Sequence, residues 1–154
     1  EMVGSYRRGA LQSGDLDIII RDENNDNRIF KKLINNLIEK KYILETISYG
    51  NKKFSGICKL SGENIARRID VLFTTKKEYP FAMLYFTGSG DFNKKMRFIL
   101  KKKGLKLNEY TLKRKNEEDK YIEIEHDFKT EKDIFNYLGF IYIEPKDRTD
   151  KVLE

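Results

Sequence analysis

The chain has 154 residues, 31 of them Lys or Arg and 25 Asp or Glu, for a net charge of +6. Apolar residues make up 39% and charged residues 36%, a globular composition with no transmembrane-length run and no disorder signature. A single cysteine, Cys58, excludes an internal disulfide and any cysteine-built zinc site, and reads as a core residue in a reducing compartment.

In chain order, Glu1-Met2-Val3 runs straight into the first motif with no leader, as though an element were cut at its edge and the chain were part of something longer. Val3, Gly4-Ser5 and Arg7-Arg8-Gly9 read as strand end, turn and loop. Leu16 to Ile20 has strand length and β-branched content. Asp26 or Asn27 can cap a helix whose apolar positions are Ile29, Phe30, Leu33, Leu37 and Ile38. Tyr42 to Ser48, Lys53 to Leu60 and Ala66 to Phe73 suit strands, with turn chemistry at Gly50-Asn51 and Ser61-Gly62. The first half is expected to be a mixed α/β lobe.

A second lobe is expected from about residue 77. Tyr79 to Tyr85 reads as a short helix, and Gly88, Ser89 and Gly90 break it. From Asp91 to Lys103, Phe92, Met96, Ile99 and Leu100 recur on one helical face, stopped at Gly104. Lys113 to Lys120 reads as a charged, solvated loop. Thr130 and Asp133 have capping-box spacing ahead of Ile134, Phe135 and Leu138. His126, the only histidine, reads as structural.

The chemistry gathers at Asp15-Leu16-Asp17. Residues i and i+2 of a strand share a face, so these carboxylates project together and repel each other unless a cation sits between them. Two readings stand: a turn acid followed by a solvent-facing strand acid, or ligands of a hard divalent ion. Asp70, a lone acid in the apolar run ARRIDVLF, could join them by strand pairing, and three carboxylates could hold two ions. Gly4-Ser5, Arg8 and Ser13-Gly14 supply backbone donors, hydroxyls and a cation fit for a phosphate.

GSYRRGALQSGDLD and RRID, followed by YFTGSGDFNKKMR, NEYT, EKDIFNYLGF and EPKDR, resemble the beta-type members of the family X DNA polymerases in order along nearly the whole chain. The resemblance implies an α/β (α+β) fold: a nucleotidyltransferase palm over residues 1–76, with a mixed sheet and helices, then a small α+β thumb over 77–154. Fingers and lyase domains have no counterpart in the sequence. It implies a template-directed polymerase filling short gaps in repair, joining a dNTP to a primer 3′-hydroxyl with loss of pyrophosphate. Asp15, Asp17 and Asp70 would be catalytic ligands of two Mg2+ ions, with Mn2+ as a substitute. Ser5, Arg8, Ser13 and Gly14 would hold the nucleotide phosphates, Tyr85, Phe86 and Gly88 its sugar, and Asn93 its base. Arg68, Lys94, Lys95, Arg97 and Tyr110 would meet DNA, and Lys101 to Lys103 would add phosphate attraction. Glu109 and Tyr110 match positions that couple thumb closing to the site, and Gly88-Ser89 is the position of a cis peptide. The implied partners are gapped or primer-template DNA and a dNTP, with the protein a monomer at an intracellular site and no membrane.

Two departures carry expectations of their own. Gly90 replaces an acid that packs on the incoming base, which implies looser nucleotide binding or altered fidelity. Leu72 replaces an arginine that can salt-bridge a metal-binding aspartate, so Asp17 is expected to lack that partner and the ligand geometry to be preset. A template-independent transferase and a non-catalytic DNA-binding fragment are the alternatives.

Overall fold

The computed structural model describes residues 1–150 and Leu153. Its larger sheet has four strands: β1 (Asp15–Arg21), β2 (Ile43–Tyr49), β3 (Lys53–Cys58) and β4 (Arg67–Thr74), in the order β1-β4-β3-β2. β1 and β4 run parallel while the β4–β3 and β3–β2 pairs are antiparallel. Leu16, Ile18 and Ile20 pack with Ile69, Val71 and Phe73 on one face of the sheet, around Phe30 and Ile34. Cys58 is buried in that core, which raises its thiol pKa through desolvation. On the opposite face, Ile19 and Leu72 pack against Val3, Ala82 and Met83.

Helix α2 (Arg28–Glu39) buries Phe30 and Ile34, while Ile29, Leu33 and Ile38 of the expected apolar face stay exposed. At about 100° per residue, Phe30, Ile34 and Leu37 fall within one narrow stripe, and the other three lie on its flanks beyond reach of the sheet. Asp26 rather than Asn27 supplies the cap contact, its Oδ1 accepting the Arg28 N–H at 3.0 Å.

Gly4–Arg7 is a one-turn helix, α1, where the sequence suggested an open turn. The reason is nonlocal: the Val3 N–H donates to the Asp17 carbonyl at 2.8 Å and Met2 bridges Ile18, so the chain leaves the β1 edge already turning.

Helix α3 (Tyr79–Thr87) is buried nearly all round. Ala82 and Met83 complete the core beneath the larger sheet, while Phe81 and Leu84 enter a second core with Phe92, Met96, Leu100, Ile134, Phe135 and Leu138. Helices α4 (Gly90–Lys102) and α5 (Glu131–Leu138) carry these residues. Ser89 caps α4 by accepting the Phe92 N–H, and Thr130 and Asp133 form a reciprocal capping box on α5. A second sheet contains β5 (Leu105–Leu107), β6 (Leu112–Lys115) and β7 (Tyr121–Glu123). Part of the expected charged loop is therefore strand: Leu112 anchors β6 in the core while Lys113 to Lys115 pair across it. His126 lies outside the strands, packed against Phe128 and Tyr137. No helix among the described residues is long and apolar enough to cross a membrane.

Candidate active site

Parallel pairing sets Asp17 opposite Asp70 and Asp15 opposite Arg68. Neighbouring residues of paired strands share a face, so these four side chains project from the face that holds Ile19 and Leu72 further along. The run that looked buried by composition is thus polar at its head and apolar beyond it. Burial raises the Asp17 carboxyl pKa above the usual aspartate value, and the charges of Asp70 and Asp15 raise it further. That is the condition a divalent cation relieves.

Asp70 is occupied. Its Oδ2 accepts from Arg68 Nε at 2.9 Å, while Oδ1 accepts from Ser55 Oγ at 2.6 Å and Arg68 Nη2 at 3.3 Å. Among the described residues no group of three or more His, Cys, Asp or Glu is gathered so as to hold an ion. The expectation of a preset ligand set therefore needs correction at its third member. Asp17 carries no ion pair among the described residues, but Asp70 is tied to Arg68. Hard carboxylate oxygens on adjacent strands still fit a magnesium-class ion once that pair opens.

A cleft of about 380 Å3 beside the aspartates is lined by Gly4, Arg8, Asp17, Tyr85, Phe86, Gly88, Gly90, Asn93, Lys94 and Arg97. Of the residues expected at a nucleotide, Arg8, Tyr85, Phe86, Gly88 and Asn93 thus border one space, while Ser5, Ser13 and Gly14 do not line it. Arg8 Nη1 donates to the Thr87 carbonyl at 2.6 Å, fastening the first loop to the end of α3. Gly88 follows with φ +71, and the Gly88–Ser89 peptide is cis. Asn93 Nδ2 donates to the Tyr85 carbonyl at 2.7 Å, and Arg97 Nε donates to the Asn93 carbonyl at 3.3 Å. Ser5 and Ser13 share a hydrogen bond of 2.8 Å between their hydroxyls, which closes the first loop on itself. Ser13 borders a different groove, with Cys58 and Arg67.

Tyr110 stands apart from this cleft. Its ring lies under Lys52 and Lys53, with ammonium-to-centroid distances of 5.2 and 5.4 Å, and Lys53 also pairs with Glu109. On α4, Lys94 pairs with Asp91 at 3.3 Å and Lys102 lies over Phe98.

Three features were not singled out from sequence. Ser55 is one, its signal being a hydroxyl between Phe54 and Ile57 of a strand paired with the one that carries the lone acid. Arg7 and Arg148 are the others. Glu131 accepts from Arg7 Nη2 at 2.6 Å and from Arg148 Nη1 at 2.5 Å, and Arg7 Nη1 also donates to Thr87 Oγ1 at 2.5 Å. Arg148 is only 1% exposed, and its remaining donors reach the Ile143 carbonyl and Tyr142 hydroxyl. Burial works against the charge of Arg7, but the hydrogen bond and charge of Glu131 outweigh it and hold the guanidinium pKa above its ordinary value.

Comparison with known proteins agrees with this arrangement. Residues 1–76 match the family model for the DNA polymerase beta palm and residues 82–149 that for the DNA polymerase beta thumb. DNA polymerase lambda of Rattus norvegicus is 33% identical over 94% of this chain and 28% of its own length. DNA polymerase lambda of Arabidopsis thaliana is 27% identical over 94% of this chain and 31% of its own length. The chain thus spans about a third or less of these two relatives. Repair DNA polymerase X of African swine fever virus is 30% identical, over 95% of this chain and 79% of the viral protein. With palm and thumb matched in order and aspartates 17 and 70 side by side on a mixed sheet, the chain belongs to the family X DNA polymerases.

Proposed function

We propose that this chain carries the catalytic palm, residues 1–76, and the thumb, residues 77–154, of a template-directed polymerase that fills short gaps in DNA. The observation that carries the reading is the side-by-side register of Asp17 and Asp70, with Asp15 on the same face, next to a cleft bordered by Arg8 and Asn93. The oxygen of a primer 3′-hydroxyl forms a bond to the α-phosphorus of a dNTP as the bond to the β-phosphate oxygen breaks and pyrophosphate leaves.

Asp15, Asp17 and Asp70 would hold two Mg2+ ions, or Mn2+ in their place. When bound, such ions lower the pKa of the attacking hydroxyl and stabilise the leaving oxygen. Asp70 stands to receive the hydroxyl proton. Arg8, with Ser5, Ser13 and the Gly14 backbone, binds the β- and γ-phosphates. Tyr85, Phe86 and Gly88 border the sugar, Asn93 the base, and Arg68 the phosphate at the primer end. Lys94 and Arg97 meet DNA, where phosphate contacts weaken with salt.

Magnesium-dependent incorporation on a one-nucleotide-gapped duplex tests the reading, run with deoxy- and ribonucleotides beside Asp70→Ala. Templated addition of the deoxynucleotide that vanishes in the variant is expected. Folded protein that binds the duplex without adding a nucleotide would replace it with a DNA-binding role, and addition indifferent to the template would make it a terminal transferase.

A further inference from the structure

The two groups that hold Asp70 are anchored differently. Arg68 reaches it from an exposed side chain two residues away on the same strand, and guanidinium pairs equally well with phosphate. Ser55 is its cross-strand partner in the antiparallel β3–β4 ladder, so the register itself sets hydroxyl against carboxylate. Phe54 and Cys58 of the same strand enter the core on the other face, which fixes the side to which Ser55 points.

At 8% exposure, the Ser55 hydroxyl has little water to turn to. Its one proton goes to Asp70 Oδ1 at 2.6 Å, and its oxygen accepts Arg68 Nη2 at 3.1 Å. The chain of donors therefore runs from Arg68 through Ser55 to Asp70. If a DNA phosphate draws the guanidinium away, the serine loses a donor to itself and keeps its bond to the carboxylate.

From this we infer that Ser55 is a positioning residue for the reaction proposed above: it holds Asp70 in one orientation beside Asp17 while Arg68 exchanges the carboxylate for the phosphate at the primer end. The exchange makes primer engagement and exposure of the third carboxylate parts of one event. A carboxylate held only by Arg68 would be released into several rotamers at that moment, and ordering them again would fall on the bound ion.

The test compares Ser55→Ala and Ser55→Thr in the full chain, with Mn2+ binding followed by electron paramagnetic resonance in the presence of primer-template DNA. Single-turnover incorporation is measured on the same complexes. Hydrogen-bond partners of metal ligands are typically worth about 10–100-fold in metal affinity or activity. Ser55→Ala is expected to lose that much in Mn2+ affinity or rate with dNTP affinity unchanged, and Ser55→Thr to restore both by returning the hydroxyl. Wild-type behaviour of Ser55→Ala would overturn the inference, as would equal losses in both variants, which would mark packing as the cause. If wild type binds Mn2+ and never incorporates, the polymerase reading fails while the Mn2+ affinity of Ser55→Ala still decides the role of Ser55.

Discussion

The carboxylate of Asp17 lies where a side chain on Gly4 would stand: a Cβ at position 4 would come within 2.0 Å of Asp17 Oδ2. Gly4 also has φ +62, a left-handed conformation costly to residues with a Cβ. Gly9 has φ +78 with open space around it. The pair separates two effects. Gly9→Ala is expected to cost about 1 kcal/mol of stability from backbone conformation alone, with incorporation kept. Gly4→Ala should carry that cost and also displace Asp17, lowering incorporation by at least tenfold. Urea unfolding and single-turnover rates on both variants check this, and equal rates would sever the link between Gly4 and Asp17.

The ion pairs at Glu131 and the pair between Lys53 and Glu109 should differ sharply in worth. Glu131 is 7% exposed and serves Arg7 and Arg148 together, so Glu131→Ala leaves the fully buried guanidinium of Arg148 and the partly buried one of Arg7 without their shared carboxylate. Losing one partner of a buried pair costs about 3–5 kcal/mol. The Lys53–Glu109 pair has its lysine side chain nearly half exposed, and Lys53→Ala should cost no more than about 1 kcal/mol, falling with salt. Denaturant midpoints at low and high salt measure both. A loss at Glu131→Ala as small as that at Lys53→Ala would mean that Arg7 and Arg148 find other partners.

What was legible in the sequence was local or simply periodic. The i, i+2 spacing of Asp15 and Asp17 and the isolated acid at position 70 pointed to one face of paired strands. The cap at Thr130 is spelled out within four residues of the helix it opens, whereas Ser89 read only as part of a break and caps α4 in the structure. Ser55 acquires its meaning only from the register that sets it against Asp70, and Arg148 from a fold that brings it to Glu131. Neither pairing has a period. The α1 turn and the occupied state of Asp70 belong to the same class, because each depends on a neighbour that local pattern cannot name. The β6 strand was missed for another reason: its lysines resemble a loop until Leu112 is seen to anchor it.

The capping box on α5 supplies a pH dependence with a definite sign. Asp133 accepts from the Thr130 and Lys129 backbone N–H groups at 2.8 and 2.9 Å, and these bonds hold its carboxyl below the usual aspartate value. As pH falls, the unfolded chain binds this proton before the folded one does. The stabilisation is complete above the unfolded value of about 3.9 and is lost as pH drops through the lower folded value. Asp133→Ala should therefore cost about 0.5–1 kcal/mol at neutral pH, a modest figure because the group is exposed. The gap from wild type should narrow as pH falls below the ordinary aspartate range. Urea midpoints across this range test it, and a gap independent of pH would assign the loss to the helix propensity of position 133 instead.

Asn93 joins the cleft proposed to take the nucleotide to the end of α3. Its Nδ2 donates to the Tyr85 carbonyl at 2.7 Å, while Arg97 donates to the Asn93 carbonyl and lies 5.8 Å from the Tyr85 ring centroid. The amide thus holds the backbone proposed to border the sugar. Asn93→Asp replaces the donor with an acceptor, setting a negative oxygen against the Tyr85 carbonyl and forcing the side chain to turn. Asn93→Leu removes the donor without adding charge. Losing a hydrogen bond at this partly buried carbonyl costs about 0.5–1.5 kcal/mol, so both variants should bind the incoming nucleotide up to about tenfold more weakly. They should also discriminate less between deoxy- and ribonucleotides, because the Tyr85 to Gly88 backbone is no longer held. Single-turnover titrations with each nucleotide read both quantities. Weaker binding with discrimination intact would confine Asn93 to the base and leave the sugar-facing backbone held by Arg8 at Thr87.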